Sequence, residues 1–201
     1  MIRAVIFDFG NVVSAFDTSK FLKRLAARSP LSVDELSEAI YGSGLHSLYE
    51  AGAIRSPAFY REVVGRCRVD MGMPEFVEAF TDIFEPVEGT ADLIRRVAAH
   101  CPVGLLSNTN PWHFARHIRK SAPWPHYSTV TLSYRVKALK PEPAIYADAT
   151  GKLGVPPAEC VYVDDIPEYA EGAARVGMHG VVFAGAARLE DELRMLGVDT
   201  R

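Results

Sequence analysis

Three apolar runs in this chain end on residues able to do chemistry. Ala4-Val5-Ile6-Phe7 stops at Asp8, Val103 to Leu106 stops at Ser107, and Val161 to Val163 stops at Asp164 and Asp165. Short β-branched and aromatic runs predict strands buried on both faces, and open parallel sheets take their ligands beyond the strands' carboxyl ends. A carboxylate, a hydroxyl and an acid pair are therefore expected along one sheet edge. Asp8 alone could be a turn former or a helix cap, but its partners favour function. Ser107 opens a polar loop, Asn108-Thr109-Asn110, that leads into a helix at Pro111, whose free N–H groups suit a phosphate. Asn110 fits the N-cap of that helix. Two adjacent acids at a buried strand end repel each other unless a cation neutralises them, and a hard ion such as Mg2+ prefers carboxylates, carbonyls and water. Lys140, just before Pro141-Glu142-Pro143, places an ammonium at a helix start that the macrodipole disfavours. An anion should sit beside it; the alternative is a solvated loop lysine. Together these groups suit phosphoryl transfer to an enzyme aspartate. Asp8 would attack phosphorus, Mg2+ would bridge Asp8, the acid pair and the phosphoryl oxygens, and Ser107 and Lys140 would stabilise the charge of the transferring group.

The elements that must position these residues are legible as an alternation of strand and helix. Helix 90–99 precedes strand 102–106, helix 112–119 precedes strand 129–133, helix 143–153 precedes strand 160–163, and helix 167–176, with Gly177 as C-cap, precedes strand 180–184. With the first strand this makes about five parallel strands in an α/β, doubly wound, Rossmann-like sheet. Between them the pattern is helical. Phe21, Leu22 and Leu25 share one helix face, Ser32 and Glu35 form a capping box for a helix through Leu36 and Ile40 that Gly42 and Gly44 end, Ser56-Pro57 starts a helix over 59–64, and Pro74 starts another over 76–84. No strand is expected between the first one and Cys101. The domain expectation is a core of residues 1–15 plus 87–201, with a small helical cap of residues 16–86 inserted after the first strand.

The 201 residues, 48% hydrophobic, are enough for an ordinary domain core, and a formal charge of −3 offers nucleic acid or an anionic membrane no handle. Cys67, Cys101 and Cys160 are odd in number and widely spaced, without a Cys-x-x-Cys pattern, which reads as reduced thiols in a cytoplasmic protein. No stretch approaches the roughly 20 apolar residues that span a bilayer, and the amino terminus lacks the features of a signal peptide. His113 and His117 lie one helical turn apart without a third ligand and read as a partly exposed helix face. Trp112, Trp124, Phe59, Tyr60 and Phe76 read as packing residues.

In order, these motifs resemble those of the haloacid dehalogenase superfamily of hydrolases. Ile6-Phe7-Asp8-Phe9-Gly10-Asn11-Val12-Val13 is similar to its first motif, Leu106-Ser107-Asn108-Thr109-Asn110 to its second, Lys140-Pro141-Glu142-Pro143-Ala144-Ile145-Tyr146 to its third and Val163-Asp164-Asp165 to its fourth. The nearer resemblance is to the subgroup of bacterial glucose-1-phosphate phosphatase and the amino-terminal phosphatase domain of soluble epoxide hydrolase. It implies a Mg2+-dependent phosphatase of a small phosphorylated metabolite, a sugar phosphate by preference, working through an aspartyl phosphate on Asp8. Asp8 and Lys140 would be catalytic, and Ser107, Asn108 and Lys140 would hold phosphate. The metal would be held by Asp8, the Gly10 carbonyl and the pair Asp164-Asp165, with Asp165 the direct ligand and Asp164 bonded to a metal-bound water.

Two positions depart from the family pattern. Most relatives carry a second aspartate at the place of Gly10, which protonates the leaving group and then activates water; losing such a group typically costs about a hundred- to ten-thousand-fold in rate. Asp17 is either a stand-in acid or the N-cap of the helix from Thr18. Tyr169 stands where relatives often have asparagine. Gly10 also keeps open a hydrolase of carbon–halogen or carbon–phosphorus bonds, or a phosphate-binding protein without turnover.

Overall fold

The computed structural model describes all 201 residues. Strand β1 (Ala4–Phe7) is followed by a short β2 (Ser14–Phe16). Five helices come next: α1 (Thr18–Ala26), α2 (Val33–Ser37), α3 (Leu45–Glu50), α4 (Ser56–Cys67) and α5 (Met73–Thr81). Then β3 (Phe84–Pro86) returns the chain to α6 (Thr90–Ala98), β4 (Val103–Ser107), α7 (Pro111–Arg116), β5 (Thr129–Leu132) and α8 (Ser133–Val136). The last third is α9 (Pro143–Leu153), β6 (Cys160–Asp164), α10 (Pro167–Arg175), β7 (His179–Val182) and α11 (Ala186–Met195).

The main sheet is parallel throughout, in the order β5-β4-β1-β6-β7. Chain order runs outward from β1 through β4 to β5, then crosses back to β6 and β7, so the topological switch falls beside β1. Strand alternation divides the buried side chains between two faces. Val5, Phe7, Val103, Leu105, Val161 and Val163 pack with Leu93, Ile94, Leu189 and Leu193 of α6 and α11. Ala4, Ile6, Leu106 and Tyr162 pack on the other side with Ile145, Tyr146 and Ala173 of α9 and α10. Helices on both faces complete the doubly wound α/β fold.

Helices α1 to α5 have a separate core of 16 buried residues, dominated by Phe21, Phe59, Phe76 and Phe80 at ring separations of 5.1–6.2 Å. Trp112 of α7 reaches across and meets Tyr49, Phe59, Phe76 and Phe80 edge-on or tilted, at 5.6–6.4 Å. The helical unit is thus fastened to the sheet domain by aromatic packing. A second tie is the Ser133 hydroxyl, which accepts the Thr109 N–H and lies within hydrogen-bonding distance of both the Glu50 carbonyl (2.6 Å) and the Thr109 carbonyl (3.0 Å).

Several expectations need correction. A strand does lie before Cys101: β2 and β3 pair antiparallel, Phe16 opposite Phe84 and Ser14 opposite Pro86. Three-residue strands, one of them ending in proline, are too short to show a period of two, and their partners lie far apart in sequence. The helix from Pro74 does not reach Phe84. It stops at Thr81, where Asp82 leaves helical geometry, and Phe84 belongs to β3. Ser56 is the first residue of α4 rather than its cap, because its hydroxyl is paired with the Tyr49 hydroxyl at 2.6 Å. The helix opened by Ser32 continues past Ser37 with π geometry over Glu38–Gly42. Helices α3, α8 and α11 were not expected, although Leu189 and Leu193, both buried and four apart, carried the signal for the last. The Ser32–Glu35 capping box is present with both of its bonds, and the other sheet-domain elements begin and end within a few residues of expectation. No helix is long and apolar enough to cross a membrane.

Candidate active site

The carboxyl ends of β1, β4 and β6 converge on one cavity of about 310 Å3, roofed by residues of the helical unit. Asp8 is the first residue past β1 and is 6% exposed; its N–H donates to the Val163 carbonyl at 2.8 Å, which holds it level with the end of β6. Phe9 beyond it is buried, and Asn11 takes a positive φ of 52°, a conformation asparagine tolerates better than most residues. The turn aims the Asn11 amide at the acid loop, where Nδ2 donates to Asp165 Oδ2 at 2.9 Å. The Gly10 carbonyl faces back into the turn and accepts the Val12 N–H at 2.7 Å, with one lone pair left.

Lys140 is not a solvated loop residue. Its ammonium is 2% exposed and lies between two carboxylates, 2.8 Å from Asp8 Oδ1 and 2.6 Å from Asp164 Oδ2. Asn108 fixes its main chain from both sides, accepting the Lys140 N–H at Oδ1 (2.9 Å) and donating Nδ2 to the Lys140 carbonyl (3.4 Å). The Tyr169 ring lies 4.9 Å from the ammonium, a cation–π contact that asparagine could not make. Asp164, fully buried, also accepts the Tyr162 hydroxyl and the Ile166 N–H. Asp165 is the half-buried member of the pair and lines the cavity. Ser107, 3% exposed at the last position of β4, lines the cavity as well.

Burial pushes the Asp8 carboxyl up to about 7, against the pull of Lys140 and with the help of Asp164. Burial likewise raises Asp165, opposed by the Asn11 amide. For Lys140, burial works to lower the pKa but the two carboxylates outweigh it, so the ammonium is held in its charged form. One oxygen from each of Asp8, Asp164 and Asp165 lies within a sphere of mutual distances of 4.8 Å. Three carboxylates against one ammonium leave two negative charges when all are ionised. A compact set of hard oxygen donors with that surplus fits a divalent hard cation such as Mg2+.

The histidine pair corrects another expectation. His113 and His117 are not an exposed face: His113 is 7% exposed, its Nε2 bonded to the Phe80 carbonyl (3.0 Å) and its Nδ1 to the Asn110 amide (3.0 Å), while His117 Nε2 meets the Ser14 hydroxyl at 2.9 Å. Asn110 caps α7 by accepting the His113 N–H. Amide donation to Nδ1 makes Nε2 the protonated nitrogen, so a neutral ring joins α7 to the end of α5. Burial, together with His46 and His117, lowers the His113 pKa from 6.5 to about 3. The sign follows directly. In the unfolded chain this imidazole takes up a proton near pH 6.5, and in the folded one only near 3, so stability is lost as pH falls through that window, by up to about 1.4 kcal/mol per pH unit. His113→Phe should flatten the decline. Urea denaturation from pH 7 to 4 should show the stability gap between wild type and variant closing on acidification; a constant gap would refute the assignment.

Asp17 is the N-cap of α1, its carboxylate accepting the Ser19 N–H at 2.9 Å. It does not line the cavity. What sequence reasoning missed is the roof: Tyr41, His46 and Glu50 of the helical unit face the same cavity as Asp8. The His46–Glu50 spacing of four residues was visible, but only the docking of α3 shows where it points.

Comparison with known proteins agrees with this geometry. Residues 2–177 match the family described as haloacid dehalogenase-like hydrolase. D-ribitol-5-phosphate phosphatase of Bacteroides thetaiotaomicron is 26% identical over 177 residues, covering 82% of this chain and 84% of its own. A phosphatase of Mycobacterium tuberculosis is 25% identical over 94% of this chain and 91% of its own length. Among solved structures, a family enzyme from Bacteroides thetaiotaomicron in complex with magnesium and inorganic phosphate superposes with a TM-score of 0.82 at 21% identity, covering 92% of this chain and 96% of that one. The L-2-haloacid dehalogenase of Xanthobacter autotrophicus shares the fold at a TM-score of 0.66 and 19% identity, over the whole of this chain and 89% of its own. A match over most of its length, with the acids, hydroxyl and lysine of all four motifs at one sheet edge, places this chain in the haloacid dehalogenase-like hydrolase family.

Proposed function

We propose that this protein is a Mg2+-dependent phosphatase of a small phosphorylated metabolite, of the sugar- or polyol-phosphate class. The observation that carries the reading is the triad of Asp8, Lys140 and Asp164, closed to solvent and joined by Asp165 in one three-carboxylate cluster. Dehalogenation has no need of such a metal site. The relatives named as phosphatases support the same reaction, and the ribitol-5-phosphate enzyme supports the substrate class.

In this reading Asp8 is the nucleophile. Lys140 draws Asp8 toward its carboxylate form against the effect of burial and places positive charge beside the transferring phosphoryl group. Ser107 donates to a phosphoryl oxygen, and Asn108 both borders the phosphate and clasps the main chain that carries Lys140. Mg2+ would be held by Asp8, the Gly10 carbonyl and Asp165; bound there, it supplies Lewis-acid neutralisation of phosphoryl charge. Asp164 orients Lys140 and completes the acid pair. Residues 1–15 with 87–201 form the catalytic domain, and 16–86 the cap that selects the leaving group. With three free cysteines, a reducing cytoplasm is the proposed compartment, and neither nucleic acid nor membrane is a proposed partner.

The test is phosphate release from a panel containing ribitol 5-phosphate, glucose 1-phosphate, glucose 6-phosphate and p-nitrophenyl phosphate, with Mg2+ and with chelator. Turnover that requires the metal supports the proposal. No release from any member by metal-saturated protein, or halide release from a haloacid without metal, would overturn it.

A further inference from the structure

Phosphoryl transfer from an alkyl phosphate leaves an alkoxide that must be protonated, and the water that resolves the acyl phosphate must lose a proton. A positioned side chain contributes about 10^2- to 10^4-fold to such transfers. At Gly10 there is no side chain to do it, and the Phe16 ring lies 3.1 Å from where its Cβ would be. Asp17 is occupied as a cap. Among the titratable groups lining the cavity, Asp8, Asp165 and Lys140 belong to the phosphoryl site. His113 has both ring nitrogens bonded. Tyr41 and Tyr169 are pushed up by burial and hold their protons. Two groups remain: His46 and Glu50.

They sit four residues apart on α3, on one face of the helix. His46 Nδ1 lies 3.6 Å from Glu50 Oε2, with the side chains 17% and 19% exposed. That is an ion-pair separation within a sheltered setting. The Glu50 carbonyl is tied to the sheet domain through Ser133, and the imidazole is steadied by Tyr41 at 5.0 Å and Phe80 at 6.0 Å. The pair therefore hangs from a fixed point of the roof and lines the same cavity as Asp8. Resting on the phosphatase reading above, we propose that His46, oriented by Glu50, is the general acid and then the general base of this enzyme.

The protons balance as follows. Asp8 carboxylate forms a bond to phosphorus while the bond from phosphorus to the leaving oxygen breaks, and that oxygen takes the Nε2 proton of the His46 imidazolium, releasing a neutral alcohol. Water then attacks the phosphorus of the aspartyl phosphate and gives its proton to neutral His46. The bond from Asp8 to phosphorus breaks, returning carboxylate, imidazolium and inorganic phosphate. Glu50 stays beside Nδ1 and orients the ring through both steps. The other groups facing His46 are Tyr41 from the π-helical turn, Phe59 and Phe80 from α4 and α5, and His113 from α7; Asp8, Asp165 and Lys140 line the same cavity.

The experiment compares wild type, His46→Gln and Glu50→Gln on ribitol 5-phosphate and glucose 6-phosphate, whose alkoxides need protonation, and on p-nitrophenyl phosphate, whose phenolate does not. In the first turnover, which reports leaving-group departure alone, His46→Gln should lose about 10^2- to 10^4-fold on the alkyl phosphates and less than tenfold in the nitrophenolate burst from p-nitrophenyl phosphate, while steady-state kcat falls on both because the water step has lost its base. Circular dichroism and the thermal melt of each variant serve as the folding control. The basic limb of the kcat–pH profile on alkyl phosphates should vanish with the imidazole. Glu50→Gln, which leaves the imidazole in place but loosens its orientation, should lower kcat on the alkyl phosphates with KM unchanged. Equal first-turnover losses on both substrate kinds, or none, would overturn the proposal while leaving the phosphatase reading intact. If wild type hydrolyses no phosphate at all, both readings fail together.

Discussion

Asp8→Asn should abolish turnover, by at least roughly 10^4-fold in kcat, because an amide is a poor nucleophile and cannot form the acyl phosphate. The same substitution should make the metal-free protein more stable at neutral and alkaline pH. Folding raises the Asp8 pKa to about 7, chiefly by burial, so ionising this carboxylate in the folded chain works against folding. The penalty is absent below the unfolded pKa near 4, grows as pH rises, and levels off above 7, where it is on the order of a few kcal/mol. Denaturant melts of both proteins at pH 5 and pH 8, in chelator, should show the variant's advantage widening with pH. Added Mg2+ should narrow it, since the cation neutralises the wild-type site. A variant less stable than wild type at pH 8 would refute the account.

Lys140→Met should be strongly destabilising. The ammonium is the only cation against Asp8 and Asp164, and its removal leaves two facing carboxylates buried. Breaking such a pair costs about 3–5 kcal/mol, which for a chain of this size is a fall in Tm of about 10 °C. Activity should disappear with it. Combining Lys140→Met with Asp8→Asn should restore much of the lost Tm without restoring turnover, because the double variant has one buried charge rather than two. If the two effects simply add, the charges are not coupled and the triad does not work as described.

Much of this site was legible in the sequence because its strands are buried on both faces. A run such as Val161 to Val163 has no solvent-facing residue to obscure it, and the acid that ends it is conspicuous. Helix α9 could be bounded from sequence because Pro143 opens it and Gly154, at φ +65°, closes it. The interactions that act at a distance were not legible. Nothing local marks Lys140 as the partner of both Asp8 and Asp164, since the three meet only when α9, β1 and β6 are assembled. The burial of His113 was hidden for the same reason: its polar partners, Phe80 and Asn110, become visible as a pair only after the helical unit docks. Strands β2 and β3 escaped because a three-residue strand carries almost no periodicity.

Those two strands have a consequence for how such a protein can change. The helical unit leaves the sheet domain at Phe16 and returns at Phe84, and these residues are direct partners across the ribbon. Everything between them is a cassette with adjoining ends. It can be shortened, enlarged or exchanged without moving a strand of the main sheet, and a tight hairpin turn would suffice to reclose the chain. Asp8, Ser107, Lys140 and the acid pair lie outside the cassette, while Tyr41, His46 and Glu50 travel within it. One grafted segment would thus carry leaving-group recognition and the proposed proton relay together to a new host, whose own sheet edge supplies the nucleophile.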